Sequence, residues 1–250
     1  NRNTKILQLS KLEDDISPRD VKINVKPVGN YMIHRGVWEG PCRWNPNSPP
    51  EEEKVQFRKA FANNVEVVQS KLSQDAKILE PLYNEYQEAI GFGAQQLNEL
   101  EFDNDKVDLY LVSGNVYPQY PGCQIGQRYK KPVAMIGGYV NWDMSACLRS
   151  KGLEGYALAD FDELNQLISV LRARKIFQQT NLLFITDMPY NNRPTSSACL
   201  DFKGLNERFG FKTTIVGYKE FSEERDKIIK SDESMKEVEN FADRLIRNAQ

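Results

Sequence analysis

Apolar residues along this chain fall into two rhythms. Val107-Asp108-Leu109-Tyr110-Leu111-Val112-Ser113-Gly114 is a nearly unbroken apolar run that closes on small residues, and Lys131-Pro132-Val133-Ala134-Met135-Ile136-Gly137-Gly138 repeats the pattern. Short continuous runs bounded by glycine predict parallel strands buried on both faces. Between them, Tyr120–Lys130 has the length of a crossover, while Pro121, Gly122 and Gly126 argue against a regular helix there. The unit is βαβ-like, and ligands of open α/β sheets collect where such strands end.

Upstream, Ile6–Leu9 predicts a short edge strand and Asp14–Asp20 a turn. Val21–Pro27 alternates apolar and polar residues and predicts a half-buried strand. A long loop, Gly29–Pro50, then leads to a helix over Glu51–Leu72 with Phe57, Phe61, Val65, Val68 and Leu72 on one face and acids in its first turn. Ile78-Leu79 predicts a brief strand closed by Pro81, and Asn84–Leu100 a second helix with Tyr86, Ile90, Leu97 and Leu100 on one side. Further on, Asp143–Lys151 predicts a helix stopped by Gly152, and Tyr156–Ala159 a strand. Asp160 with Glu163 has capping-box spacing for a helix whose stripe is Leu164, Leu167, Ile168 and Leu171. Arg172-Ala173-Arg174-Lys175 puts cations at that helix's C-terminal end.

From Asn181 the pattern restarts. Leu182–Asp187 predicts a buried strand, Met188–Ser197 a polar loop, and a short helix runs to Gly210. Thr213–Val216 predicts a strand, and Ser231 opens a last helix with Val238, Phe241, Ala242, Leu245 and Ile246 on one face. The expected fold is therefore α/β: a Rossmann/flavodoxin-like parallel-sheet domain over residues 1–178, followed by the beginning of a second α/β domain over 179–250. Two parallel strands cannot cover themselves, so the remainder of that second domain is expected beyond Gln250 or on a partner, and something upstream of Asn1 is expected to have been removed.

Composition narrows the chemistry. The chain is 40% apolar and 27% charged with a net charge of -2, which gives no reason to expect nucleic acid or an acidic membrane surface. No apolar run approaches the roughly 20 residues needed to span a bilayer, and no signal-peptide core is visible. Cys42, Cys123, Cys147 and Cys199 are far apart in sequence and predict reduced thiols, and no Asn-x-Ser/Thr acceptor occurs; a cytoplasmic location follows as the expectation. His34 is the one histidine, so multi-histidine zinc sites and H-E-x-x-H arrangements are excluded. No G-x-S-x-G elbow and no phosphate loop of the G-x-x-x-x-G-K-[ST] type is present.

Three loops carry candidate ligand-binding residues. His34, Arg35 and Trp38, with Arg43 and Trp44, combine an indole that stacks on a sugar face with donors for its hydroxyls; a loop pinned by aromatics, or a subunit contact, uses the same residues. Asn115, Tyr117, Gln119 and Gln124 follow one strand, and Tyr139, Asn141, Trp142 and Asp143 follow the next; helix capping and turn chemistry are the competing reading. Asp187, Asn191, Asn192 and Arg193, with Thr195, Ser196 and Ser197 behind them, suit a polyol or an anion, or a solvated loop with a serine cap.

The order strand, polar Asn/Ser loop, Phe209-Gly210-Phe211-Lys212 turn, strand, and Tyr218-Lys219-Glu220-Phe221-Ser222-Glu223 before an amphipathic helix resembles the start of the middle domain in the L-fucose/L-arabinose isomerase family. Val21–Gly36 is similar to that family's opening strand and substrate-side loop, and Val107–Leu109 and Lys131–Val133 to successive strands of its N-terminal domain. The resemblance implies aldose–ketose interconversion of a monosaccharide, assisted by a divalent metal, usually manganese, whose ligands lie outside this chain. It also implies packing into a homo-oligomer. A metal-free carbohydrate-binding module of periplasmic-receptor type is the alternative, and a structural or assembly role a third.

Overall fold

Every strand pair among the described residues is parallel. The structure, a computed structural model, describes residues 20–33, 49–86, 93–115, 117–138, 140–187, 202–210 and 212–249. They fall into two units, 1–173 and 174–250. The first contains β1 (Ile23–Met32), α1 (Pro50–Lys71), β2 (Ala76–Ile78), β3 (Leu82–Tyr86), α2 (Ala94–Glu101), β4 (Leu109–Gly114), α3 (Gln119–Tyr129), β5 (Val133–Ile136), α4 (Asn141–Arg149), β6 (Gly155–Leu158) and most of α5 (Phe161–Gln179).

β2 and β3 lie end to end along one edge of β1: Ile23–Val25 pairs with Ala76–Ile78, and Val28–Met32 with Leu82–Tyr86. Pro81 stands in the gap between them, and having no N–H it cannot donate to the ladder. Counted as one broken strand, they give the order β2/β3–β1–β4–β5–β6, the 2-1-3-4-5 arrangement of flavodoxin-like sheets. Helices cover both faces. Ile23, Val25, Leu109, Leu111, Ala134 and Leu158 pack with Val68 of α1 and with Leu164, Leu167, Ile168 and Leu171 of α5. Val28, Tyr110, Val112, Val133 and Met135 pack with Leu100 of α2, Ile125 of α3, and Met144 and Leu148 of α4. The α/β class, the two central strands and the stripes of α1 and α5 are as the sequence predicts.

In the first unit, four readings differ from the structure. β1 is not half-buried: it is central, both its faces are covered, and its even-numbered Lys26 is buried against Asp103 with Nζ 2.6 Å from Oδ2. Gly29–Met32 belongs to β1 rather than to a loop, because β3 and β4 flank it on both edges. Residues 84–86 are strand rather than helix, since the exposed upper edge of β1 requires a partner and Tyr83 stacks on Tyr31 with centroids 5.5 Å apart. The crossover after β4 is a regular helix, α3. Its glycines face inward: a Cβ on Gly122 would lie 2.5 Å from Met144 Sδ, and one on Gly126 2.6 Å from Leu148 Cδ2. The small residues that weaken helix propensity here let α3 and α4 pack closely, and packing outweighs a propensity cost of about 1 kcal/mol per glycine.

The α5 cap forms as the spacing predicts: Asp160 Oδ1 accepts from the backbone N–H groups of Asp162 and Glu163, at 3.0 Å each, and Glu163 reaches back to the Ala159 N–H. The helix runs on to Gln179, so Arg172–Lys175 lies before its last turn.

In the second unit, β7 (Asn181–Ile185) pairs with β8 (Lys212–Val216) across α6 (Phe202–Phe209), followed by α7 (Tyr218–Ile229) and α8 (Asp232–Ala249). β7 is not the buried strand its sequence suggests: Leu183 is 51% exposed. None of the described side chains of 174–250 is buried, and Ile215, Val238, Phe241 and Ile246 are also exposed. α7, a separate helix, has no counterpart in the sequence-based expectation. The Ile6–Leu9 strand and the Met188–Ser197 loop lie outside the described residues.

Candidate functional site

In the order 2-1-3-4-5 the helices after β1 and β4 cover opposite faces of the sheet, α1 with Val68 on one and α3 with Ile125 on the other. In sheets of this order ligands bind at the C-terminal edge between these two strands. Gly114 ends β4 directly opposite Asn30, and a Cβ there would lie 2.1 Å from the Asn30 carbonyl oxygen, so only glycine permits the pairing.

Asn115 follows. Its Oδ1 accepts from the Met32 N–H at 2.8 Å and its Nδ2 donates to the Met32 carbonyl at 3.0 Å. The side chain extends the β1–β4 ladder past Gly114, and this role has first claim on the amide. Tyr117 has φ 50, a left-handed conformation unusual for a bulky residue, and it sits edge-on to Tyr120 at 6.0 Å.

Gln119 opens α3. Its Oε1 is buried and has no hydrogen-bond partner among the described residues. Asn141 opens α4 and is 3% exposed. Its Nδ2 donates to the Leu158 carbonyl at 3.3 Å, while its Oδ1 has no partner among the described residues. Trp142, next to it, is 72% exposed.

Two residues that the sequence pattern places in a loop and a helix join this set. Asn30 and Asn84 are buried neighbours in register, and Asn84 Nδ2 donates to Asn30 Oδ1 at 2.6 Å. Asn30 Nδ2 has no partner among the described residues. By strand alternation Asn30 shares a face with Val28, the face α3 covers, and Pro118 lies against the neighbouring Gly114. Asn30 and Gln119 thus flank the β4 terminus on one side of the sheet. The signal for Asn30 in the sequence is an asparagine inside an otherwise apolar run, visible once Val28–Met32 is recognised as strand.

Asp187 belongs to the second unit, and its Oδ1 accepts from the Tyr218 N–H at 3.0 Å, an N-terminal contact to α7. His34, Arg35 and Trp38, with Arg43 and Trp44, lie outside the described residues. So do Tyr139, Asn191, Asn192, Arg193, Thr195, Ser196 and Ser197. Among the described residues no three His, Cys, Asp or Glu side chains group as a metal site, so these residues do not fit manganese. No described helix is long and apolar enough to cross a membrane.

The chemistry of the edge is neutral. Its unsatisfied atoms are one amide donor and two amide carbonyls. Buried polar atoms are nearly always hydrogen-bonded, so these three atoms call for a partner beyond the described side chains, such as water or a ligand. No protein-family model matches this chain, and no curated protein matches it.

Proposed function

We propose that the first unit binds a small, neutral, hydroxyl-rich molecule, a monosaccharide, at the C-terminal edge of its sheet. In this reading it is the substrate-framing part of a sugar ketol-isomerase-like protein. The observation that carries the proposal is the set of buried amide atoms on Asn30, Gln119 and Asn141 that have no partner among the described residues. A hydroxyl both donates and accepts, so it can meet an amide N–H and amide carbonyls alike, whereas an anion satisfies only the donor. Exposed Trp142 beside Asn141 offers an apolar ring surface to a sugar's C–H face.

Aldose–ketose interconversion needs a base beside the substrate carbon and stabilisation of the enediolate oxygens. The described residues supply positioning and not those groups, so the chain alone is proposed to bind without converting. The exposed apolar side chains of the second unit support the homo-oligomer that belongs to the same reading. A metal-free carbohydrate-binding module is the second reading, favoured by the neutral donor set.

Titration calorimetry of the full chain with L-fucose, L-arabinose and galactose, with and without manganese, tests both. Saturable binding that weakens about fivefold in Gln119→Ala or Asn141→Ala supports the proposed site, since one hydrogen bond contributes about 1 kcal/mol. Micromolar binding indifferent to manganese favours the second reading. No heat with any sugar, or binding untouched by both variants, overturns the assignment.

A further inference from the structure

α3 and α4 bring two cysteines from distant parts of the sequence together. Cys123 follows Gly122, which faces Met144, and Cys147 precedes Leu148, which faces Gly126. The Cys123 and Cys147 side chains meet across this helix pair, near enough for Cys147 to help hold the Cys123 proton. Four residues on from each cysteine, Lys151 Nζ donates to Gln127 Oε1 at 2.7 Å, so the two contacts are successive rungs across the same helix pair. Both cysteines are half-buried free thiols, neither sealed in the core nor fully exposed.

We propose that Cys123 and Cys147 form a reversible disulfide that ties α3 to α4 when the chain meets a low-molecular-weight disulfide such as oxidised glutathione. Cys147 as thiolate attacks one glutathione sulfur; a protein–glutathione disulfide forms and one glutathione thiolate leaves. Cys123 then gives up its proton to water and attacks the Cys147 sulfur, and the second glutathione leaves as thiolate. Two protein thiols are oxidised and one glutathione disulfide is reduced to two thiols. The order follows from the environment. Burial, and after it the hydrogen bond to Cys147, push the Cys123 thiol up to about 12, so Cys123 keeps its proton and is the resolving partner.

The test is oxidation of the full native chain by oxidised glutathione, alkylation of the remaining thiols, digestion and mass spectrometry. The expected product is a Cys123–Cys147 linked peptide, reversed by dithiothreitol. In Cys123→Ser, glutathione should remain on Cys147. In urea, pairings with Cys42 and Cys199 should compete. Cys123 and Cys147 both alkylated at high oxidised glutathione, or the same scrambled pairings with and without urea, would overturn the proposal.

Discussion

The Asn115 side chain mimics a backbone peptide toward Met32, accepting from its N–H at 2.8 Å and donating to its carbonyl at 3.0 Å. The clamp ties β1 to β4 just beyond their last paired residues, Asn30 and Gly114. Asn115→Ala removes both bonds and is expected to cost about 1–3 kcal/mol, seen as a lowered urea midpoint. Asn115→Asp should not rescue, because a carboxylate cannot donate to the Met32 carbonyl. An unchanged midpoint in both variants would show that the clamp contributes nothing.

Gly114 leaves no room for a methyl group beside the Asn30 carbonyl. Gly114→Ala must push β1 and β4 apart, at a cost of about 1–3 kcal/mol. Hydrogen exchange should quicken at Asn30 and Ser113 while the α5 amides, far along the chain, stay protected. Equal acceleration everywhere would mean a global loss of stability instead of a local separation.

Lys26 and Asp103 form a mostly buried ion pair, with side chains 8% and 18% exposed. Lys26→Met strands the carboxylate and should cost up to about 3–5 kcal/mol, whereas Lys26→Met with Asp103→Leu should recover much of it. A double-mutant cycle in urea measures the coupling; additive losses would assign the pair no special role.

Alkaline stability should follow buried tyrosines. Burial raises the Tyr110 phenol above its ordinary value, with Tyr129, Asp103 and Glu101 adding to the effect, and burial likewise raises Tyr83. An unfolded tyrosine ionises near about pH 10, while the native phenols hold their protons to higher pH. Their contribution is therefore intact below about pH 10 and is lost as pH rises through the native values. Tyr110→Phe loses the bond to Asn104 Oδ1, 2.9 Å in length, and about 1 kcal/mol at neutral pH, but should flatten the alkaline fall. Circular dichroism against pH for both proteins checks this; parallel curves would assign the fall to other groups.

Legibility in the sequence tracked the range of the deciding interaction. β4 and β5 are evident as apolar runs. α1 and α5 are evident as stripes, because their buried members fall at helical spacing: Phe61 and Val68 in one, Leu164, Leu167, Ile168 and Leu171 in the other. Asp160's cap is equally local. α3 was obscured because Gly122 and Gly126 disfavour helix locally and favour it only against Met144 and Leu148. Tyr86 fits a helical spacing with residues after it, yet the open edge of β1 takes it as strand.

The same division separates the site's parts. Periodicity and short-range chemistry were sufficient for the α/β class, the strand ends and the nomination of Gln119 and Asn141, because each depends on neighbours a few residues away. Only the fold could set Asn30 beside Asn84, turn Asn115 onto Met32 and Asp187 onto Tyr218, and leave three buried amide atoms without a partner among the described residues. Register between strands far apart in sequence decides which polar groups are satisfied, and no local pattern carries that information.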